Sequence, residues 1–371
     1  MTMTINNENK KLNVPNLRFP EFQGEWEKCK LSEICTFFSG GTPSSSNKDF
    51  YGGNIAFIRS GELHADSTEL FITQAGFDSS SAKMVEVGDL LLAMYGATSG
   101  DIAVSKIKGA INQAILCIRT KQNKKFIESV WNKHVSKNLR KYLQGGQGNL
   151  SADIVKGISF FFPTLKEQEK IANLVSLLDE RIATQNKIID KLQSLIKGIG
   201  KQLFMDNQNW RTVKIGELLR IGNGKDYKHL SIGKIPVYGT GGQMLLVNDY
   251  LYDGESVCIG RKGTIDTPMF LKGKFWTVDT LFYTYDFKDV LPKFCYYLFL
   301  QINWKLYNEG TGVPSLSKST IENIKVKIPS LEQQQKICSI LDCYEHKTNN
   351  EEQILELYHS EKQYLLRQMF I

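Results

Sequence analysis

PTLKEQEKI, running from Pro163 to Ile171, returns 166 residues later as PSLEQQQKI from Pro329 to Ile337. The same shift pairs Gly146 with Gly312, Leu150 and Ser151 with Leu316 and Ser317, and Ile158 with Ile324. It then continues without a gap to KQLF at 201–204 and RQMF at 367–370. A duplication of this size sets the organisation of the chain before any single motif does, because it says how many sites the protein presents. Upstream, Gly88 and Asp89 match Gly254 and Glu255; after a one-residue slip Gly96 matches Gly263, and Asn112-Gln113 faces Asp279-Thr280. Trp26 and LSEI at 31–34 match Trp210 and IGEL at 215–218 at a shift of 184, so the first copy holds 184 − 166 = 18 extra residues between Ile34 and Gly88. That stretch, with GGTPSSS at 40–46, reads as an additional loop.

Each copy has two parts of different character. The first is rich in glycine, aromatics and short β-type runs such as IAFI at 55–58, ILCI at 115–118 and LFYT at 281–284, interrupted by helical stretches at 125–143 and 292–307. This predicts a mixed α/β globule. The second part is a long helix. Ile171, Leu174, Leu178, Ile182, Gln185, Ile189, Leu192, Ile196, Ile199 and Leu203 follow steps of three and four, a heptad seam that wants a partner helix. Its counterpart carries Ile337, Ile340, Tyr344, Leu355, Tyr358, Leu365 and Met369, weakened in the middle by Thr348, Glu351 and Lys362. Prolines precede Leu165 and Leu331, where the helices should begin. Gly198 and Gly200 each cost about 1 kcal/mol in a helix interior and are expected to bend or fray the first helix.

A helix of ~39 residues spans roughly 58 Å, too long to pack along its full length on one small globule. The expected fold is therefore two α/β (mixed) globules separated by two long α-helices that form an antiparallel coiled coil, a pseudo-two-fold dumbbell. The alternative is that each helix packs only on its own globule. The boundaries read as an N-terminal segment 1–25, a first globule 26–163, a long helix 164–206, a second globule 207–329 and a second long helix 330–371.

Composition restricts function further. The formal charge is +7, and the excess of lysine and arginine lies in the two globules while 331–371 is net acidic; a polyanion would bind the globules. The seven cysteines are scattered without a C-x-x-C pair and the five histidines form no ligand-spaced group, so reduced thiols and no metal site are expected. No run of eighteen apolar residues occurs and the polar start from Met1 to Lys11 has no signal-peptide core, which predicts a cytoplasmic protein without a membrane partner. There is no G-x-x-x-x-G-K-[ST] phosphate loop, no G-x-G-x-x-G and no Asn-Pro-Pro-aromatic tetrapeptide of the kind amino-methyltransferases use.

The order globule, helix, globule, helix is joined by shorter strings: LRFPEF at 17–22, GDLLLAMYG at 88–96, YGTGG at 238–242, IGRKGT at 259–264 and FWTVDT at 275–280. Together they resemble the specificity (HsdS) subunits of Type I restriction–modification systems over nearly all of 17–371. The resemblance implies a non-catalytic subunit whose two target-recognition domains bind double-stranded DNA as a bipartite, asymmetric target, while the helices set their separation and dock two modification (HsdM) subunits and, through the assembled complex, restriction (HsdR) subunits. It implies that this chain binds no cofactor and that S-adenosylmethionine, ATP and Mg are used by the other subunits. Two domains held in inverted orientation could address major-groove segments about one helical turn, ~34 Å, apart. Two other readings are a stand-alone DNA-binding regulator and a nuclease or methyltransferase with an unrecognised active site.

Cations in glycine-rich loops approach phosphates closely, and Arg, Asn and Gln pair with base edges. On that ground the candidate DNA contacts are Arg59, Ser60, Tyr95, Thr98, Gln147 and Asn149 in the first globule. In the second they are Lys225, Lys228, Arg261, Lys262, Thr264, Thr311 and Ser315, with Arg261 and Lys262 foremost and Lys225 with Lys228 taken as the equivalents of Arg59-Ser60. Asn112-Gln113 and Asp279-Thr280 are expected on apolar strands, engaged in buried hydrogen bonds. Trp26 and Trp210 are expected in the core, and FFF at 160–162 as a buried strand leading into the helix.

Overall fold

A computed structural model describes residues 13–142, 149–205 and 209–371, the side chains of 136–142 excepted. The chain divides into two compact units, one of 1–185 with 354–371 and one of 186–353. Each unit therefore takes its own share of both long helices.

In chain order the first unit contains β1 (Glu27–Lys30), α1 (Leu31–Ile34), β2 (Cys35–Ser39), β3 (Tyr51–Ile58), β4 (Phe71–Ile72), α2 (Gln74–Asp78), β5 (Lys83–Val85), β6 (Leu90–Ala93), β7 (Ile102–Val104), β8 (Gly109–Ile111), β9 (Ile115–Thr120), α3 (Lys124–Tyr142), α4 (Ala152–Gly157), β10 (Ser159–Phe162) and the first half of α5 (Leu165–Met205). Its strands form sheets ordered β2-β9-β6-β7 and β4-β3-β8-β5, with β1 paired to β10. The run at 90–93 is buried on both faces: Leu90 and Leu92 join Leu116 and Ile118 in one cluster, Leu91 and Ala93 join Ile115 and Cys117 in another. A strand covered on both sides has no polar alternation to show, which is why these runs read as continuously apolar.

The second unit contains the end of α5, then β11 (Arg211–Lys214), α6 (Ile215–Leu218), β12 (Arg220–Asn223), β13 (Ile232–Gly239), β14 (Gly242–Val247), β15 (Tyr252–Gly260), β16 (Met269–Thr277), β17 (Leu281–Tyr285), α7 (Pro292–Gln301), α8 (Lys318–Asn323), β18 (Lys325–Ile328) and the first part of α9 (Leu331–Met369). One sheet runs β12-β17-β15-β16-β13-β14, and β11 pairs with β18. The single strand β16 stands where the first unit has β7 and β8. There the chain breaks at Ser105, whose carbonyl accepts from Gly88 N–H at 2.7 Å and whose hydroxyl donates to Ile107 O at 2.8 Å. That interruption is what divides one sheet into two.

Strand register also relocates the extra residues of the first copy. Ile58 pairs with Ile111 as Tyr238 pairs with Thr277, a shift of 238 − 58 = 180 at this point. Only 4 of the 18 therefore precede Ile58, and the other 14 lie between it and Gly88, on either side of β4, which is the counterpart of β14 because Ile72 pairs with Ile55 as Val247 pairs with Ile235; this stretch also holds α2, β5 and a short 3-10 turn. The expected loop is mostly ordered structure.

The duplicated helix-start motif is an anchor. Gln168 is buried; its amide donates to Pro163 O at 2.9 Å and Gln122 Oε1 at 2.8 Å and accepts from Asn123 N–H at 3.1 Å. Gln334, also buried, donates to Pro329 O and Asp289 O and accepts from Leu291 N–H. Both glutamines thus lock the first helical turn to the globule beneath it. The Leu-Ser pair is a second device: Ser151 and Ser317 cap α4 and α8 by accepting from Ile154 and Thr320 N–H.

Along α5 the predicted seam faces inward, with Ile171, Leu178, Gln185, Ile189 and Leu192 buried and Leu174 half-buried. In the first unit this helix runs antiparallel to the end of α9: Ile171 and Met369 share the globule's cluster, and Asp179 meets Lys362. The helix pair thus packs on itself and on the globule together. On α9, Ile337 is buried and Tyr344, Leu355 and Tyr358 are half-buried, but Ile340 is 43% exposed. Fixing Gln334 inward turns Cys338 and Leu341 into the seam and Ile340 out of it, a correction to the heptad reading. Thr348 is buried rather than disruptive, because its hydroxyl donates to Tyr344 O at 3.0 Å. Helix α5 is unbroken through Gly198 and Gly200, the latter lying against the Gln301 side chain.

Candidate nucleic-acid interface

In the second unit one set of loops gathers beside the start of β17. Lys225 N–H donates to Thr277 O at 2.8 Å while its carbonyl accepts from Trp276 Nε1 at 2.8 Å, so the backbone is clamped and the side chain is exposed. Gly224 makes this approach possible: a Cβ there would lie 1.9 Å from Val278 O. Lys228 is exposed farther along the same loop. Arg261 N–H donates to Thr280 O at 2.8 Å, and its carbonyl accepts from Leu316 N–H at 2.9 Å. Lys262 bridges to Ser315, and Gly263, at a φ of 98°, donates to Pro314 O. The segment Arg261–Thr264 and the loop Thr311–Ser315, remote in sequence, are therefore stitched side by side.

Asn308 holds that second loop in shape. Its Oδ1 accepts from Gly310 and Ser315 N–H at 2.9 and 2.8 Å and its Nδ2 donates to Gly310 O at 2.9 Å. Nothing in the linear spacing marks Asn308 for this part. Arg261, Lys262, Lys225 and Lys228 are exposed and make no ion pair among the described residues; the Arg261 guanidinium lies 6.0 Å over the Phe282 ring and donates weakly to Asp279 O at 3.4 Å. Unpaired exposed cations keep their donors available for an anion.

The first unit repeats this backbone arrangement. Met94 N–H donates to Ala114 O and Leu150 N–H to Met94 O, both at 2.8 Å, as Arg261 and Leu316 do; Gly41 N–H donates to Ile111 O at 3.2 Å, as Lys225 does to Thr277. Gly40 stands for Gly224, since a Cβ on it would lie 1.7 Å from Ile111 O. Tyr95 is exposed in the place of Lys262, Thr98 is half-buried beside it, and Asn149 is exposed in the place of Ser315. Gln147 lies outside the described residues.

Arg59 and Ser60 follow β3 and so occupy the place of Gly239 and Thr240, not that of Lys225 and Lys228. Arg59 is exposed but committed: its Nη2 and Nε donate to Glu62 at 2.8 and 3.2 Å, and this pairing holds the Glu62 carboxyl below the usual range. Asn112-Gln113 and Asp279-Thr280 are not on strands. They fall in the turns 112–114 and 278–280, with Gln113 and Asp279 exposed. The hydrogen bonds Ile115 N–H to Asn112 O and Leu281 N–H to Val278 O make Asn112-Gln113 equivalent to Val278-Asp279, one residue off the sequence pairing. Gln113, whose Oε1 accepts from Thr42 Oγ1, is thereby an exposed member of the loop cluster, not a buried strand residue.

The remaining strings have structural parts. Trp26 is buried and Trp210 half-buried. Phe160 and Phe162 are buried on β10, with Phe161 half-buried.

A family model described as the Type I restriction modification DNA specificity domain matches residues 23–194 and again 207–357. Among curated relatives, the Type I restriction enzyme MjaVIII specificity subunit of Methanocaldococcus jannaschii is 22% identical, covering 91% of this chain and 90% of its own length. The EcoprrI specificity subunit of Escherichia coli is 21% identical, at 88% and 89% coverage. Among solved structures, the S subunit of a Type I restriction–modification system from M. genitalium matches with a TM-score of 0.65 at 17% identity over 96% of this chain and 99% of its own.

Proposed function

This chain belongs to the family of Type I restriction modification DNA specificity domains, and on that premise we propose that it reads a two-part, asymmetric DNA sequence, one half through each unit's loop cluster. It is a non-catalytic DNA-recognition subunit of a Type I restriction–modification system, with two recognition domains. The observation that carries the two-part reading is the recurrence of one backbone scaffold, Met94–Ala114–Leu150 and Arg261–Thr280–Leu316, under different side chains. A shared scaffold presents loops in the same way, and unlike side chains on it select unlike bases.

In this reading Arg261, Lys262, Thr264, Thr311, Ser315, Lys225 and Lys228 face one half-site, and Tyr95, Thr98, Asn149, Gln113 and the Arg59-Ser60 corner face the other. The long helices dock two modification (HsdM) subunits and, through them, restriction (HsdR) subunits. S-adenosylmethionine, ATP and Mg are used by those subunits.

Methylome sequencing of cells with and without this chain tests the reading. A single two-part motif should lose its methylation when the chain is absent. Exchange of 26–163 for the matching domain of a relative should then change one half of that motif only. An unchanged methylome, or a change in both halves, overturns it.

A further inference from the structure

The two loop clusters share their backbone but not their charge. At three equivalent stations the second unit carries Lys225, Arg261 and Lys262, where the first carries Gly41, Met94 and Tyr95. Met94 is buried, so at its station the first unit offers neither charge nor reach. Arg59, at the rim of the first cluster, already holds Glu62 with two bonds. Among the described residues at these stations, what the first cluster exposes is neutral: the Tyr95 ring, and beside it the Gln113 amide, whose oxygen is oriented by Thr42.

We propose that the two domains divide the energetics of binding: the second grips DNA through its cations, and the first discriminates bases through neutral contacts centred on Gln113 and Tyr95. This deepens the reading of the loop clusters as DNA-reading surfaces and rests on it. The physical basis is that each phosphate neutralised by a lysine or arginine releases condensed counterions, whereas an amide or aromatic contact to a base releases none. Gln113 has the donor and acceptor pair that matches an adenine edge in the major groove. The salt dependence of binding therefore originates in the second half-site, and the first half-site contributes selectivity that is nearly independent of ionic strength.

The test uses the full chain and a fluorescein-labelled duplex carrying the motif found by methylation mapping, titrated at increasing KCl. Lys225→Ala and Lys262→Ala should each reduce the slope of log affinity against log salt by about 0.9. Gln113→Ala should weaken binding about tenfold at every salt concentration and leave the slope alone. Lys83, which faces Ile111 across β5 and β8, supplies the counter-test, because it is an exposed cation close in register to the first cluster. Lys83→Ala should leave the slope unchanged. A slope that falls as much with Lys83→Ala as with Lys262→Ala, or that ignores Lys225 and Lys262 while sequence-selective binding persists, overturns the division alone. Absence of sequence-selective binding by the wild-type chain overturns the underlying reading and the division with it.

Discussion

Arg18 holds Glu167 in a two-pronged ion pair, Nε to Oε1 at 2.7 Å and Nη2 to Oε2 at 2.8 Å, with Trp26 Nε1 adding a third bond to Oε1 at 3.3 Å. Glu167 is fully buried at the first turn of α5, and Arg18 belongs to the LRFPEF string, so the leader segment is tied to the long helix through one carboxylate. Its neighbours add to the tie: Lys170 pairs with Glu21 and lies over the Phe19 ring, and Leu17 N–H donates to Gln368 O. Arg18→Met removes the cation and leaves a buried carboxylate unpaired. It should lower the stability of the first unit by about 3–5 kcal/mol, read from urea denaturation followed by tryptophan fluorescence. An unchanged midpoint would refute the anchoring role.

Gln334 is the corresponding lock in the second unit, and its buried amide satisfies two carbonyls and one N–H. Gln334→Leu keeps the volume and strands all three. A loss of about 3 kcal/mol is expected, since each unsatisfied buried group costs on the order of 1–3 kcal/mol. Hydrogen exchange should show the loss at the start of α9 and at 289–291; uniform protection equal to wild type would contradict it.

Gly224→Ala places a methyl carbon 1.9 Å from Val278 O and must push the Lys225 loop off Thr277. Methylation should drop at least tenfold for DNA whose second half-site is intact, a penalty of about 1.4 kcal/mol or more. Gly157→Ala, where a Cβ likewise meets nothing within 4 Å, should be silent. Equal activity of the two variants in a methylation assay would remove the Lys225 loop from the site.

Arg261→Ala should weaken modification or relax specificity in the second half-site only, by about 1–3 kcal/mol where it reads a guanine. Methylome sequencing of the variant shows which half of the motif degenerates. Degeneracy in the first half would place Arg261 elsewhere.

His64 Nε2 lies 2.9 Å from Asp101 Oδ1, and that hydrogen bond raises the imidazole above its ordinary value of 6.5 against the opposing effect of burial. Because the folded value exceeds the unfolded one, the pair's contribution to stability is complete below pH 6.5 and disappears as pH rises through the folded midpoint. NMR titration of His64 should give a midpoint above 6.5 that falls in Asp101→Asn. A midpoint indifferent to that substitution would show the pair to be electrostatically idle.

Two domains, two long helices and their order were legible because a duplication repeats apolar spacing, helix starts and glycine positions, and those obey local rules of periodicity and turn geometry. Ile171, Leu178, Ile189 and Leu192 needed only their spacing to be placed inward. Ile340 did not follow the same rule, since rotation about α9 is decided by the buried Gln334 contact with Asp289 and Leu291, a partner 43 to 45 residues away in sequence. Likewise, the sequence could mark Arg261 and Lys262 as cations beside a glycine, but their position against Thr311–Ser315 comes from hydrogen bonds to Pro314 and Leu316. Gln113 lay hidden inside an apolar run until strand pairing made its position a turn. Local propensity is written in neighbouring residues; which loops meet, and with what charge, depends on contacts between segments far apart in the chain, and only the folded structure supplies those.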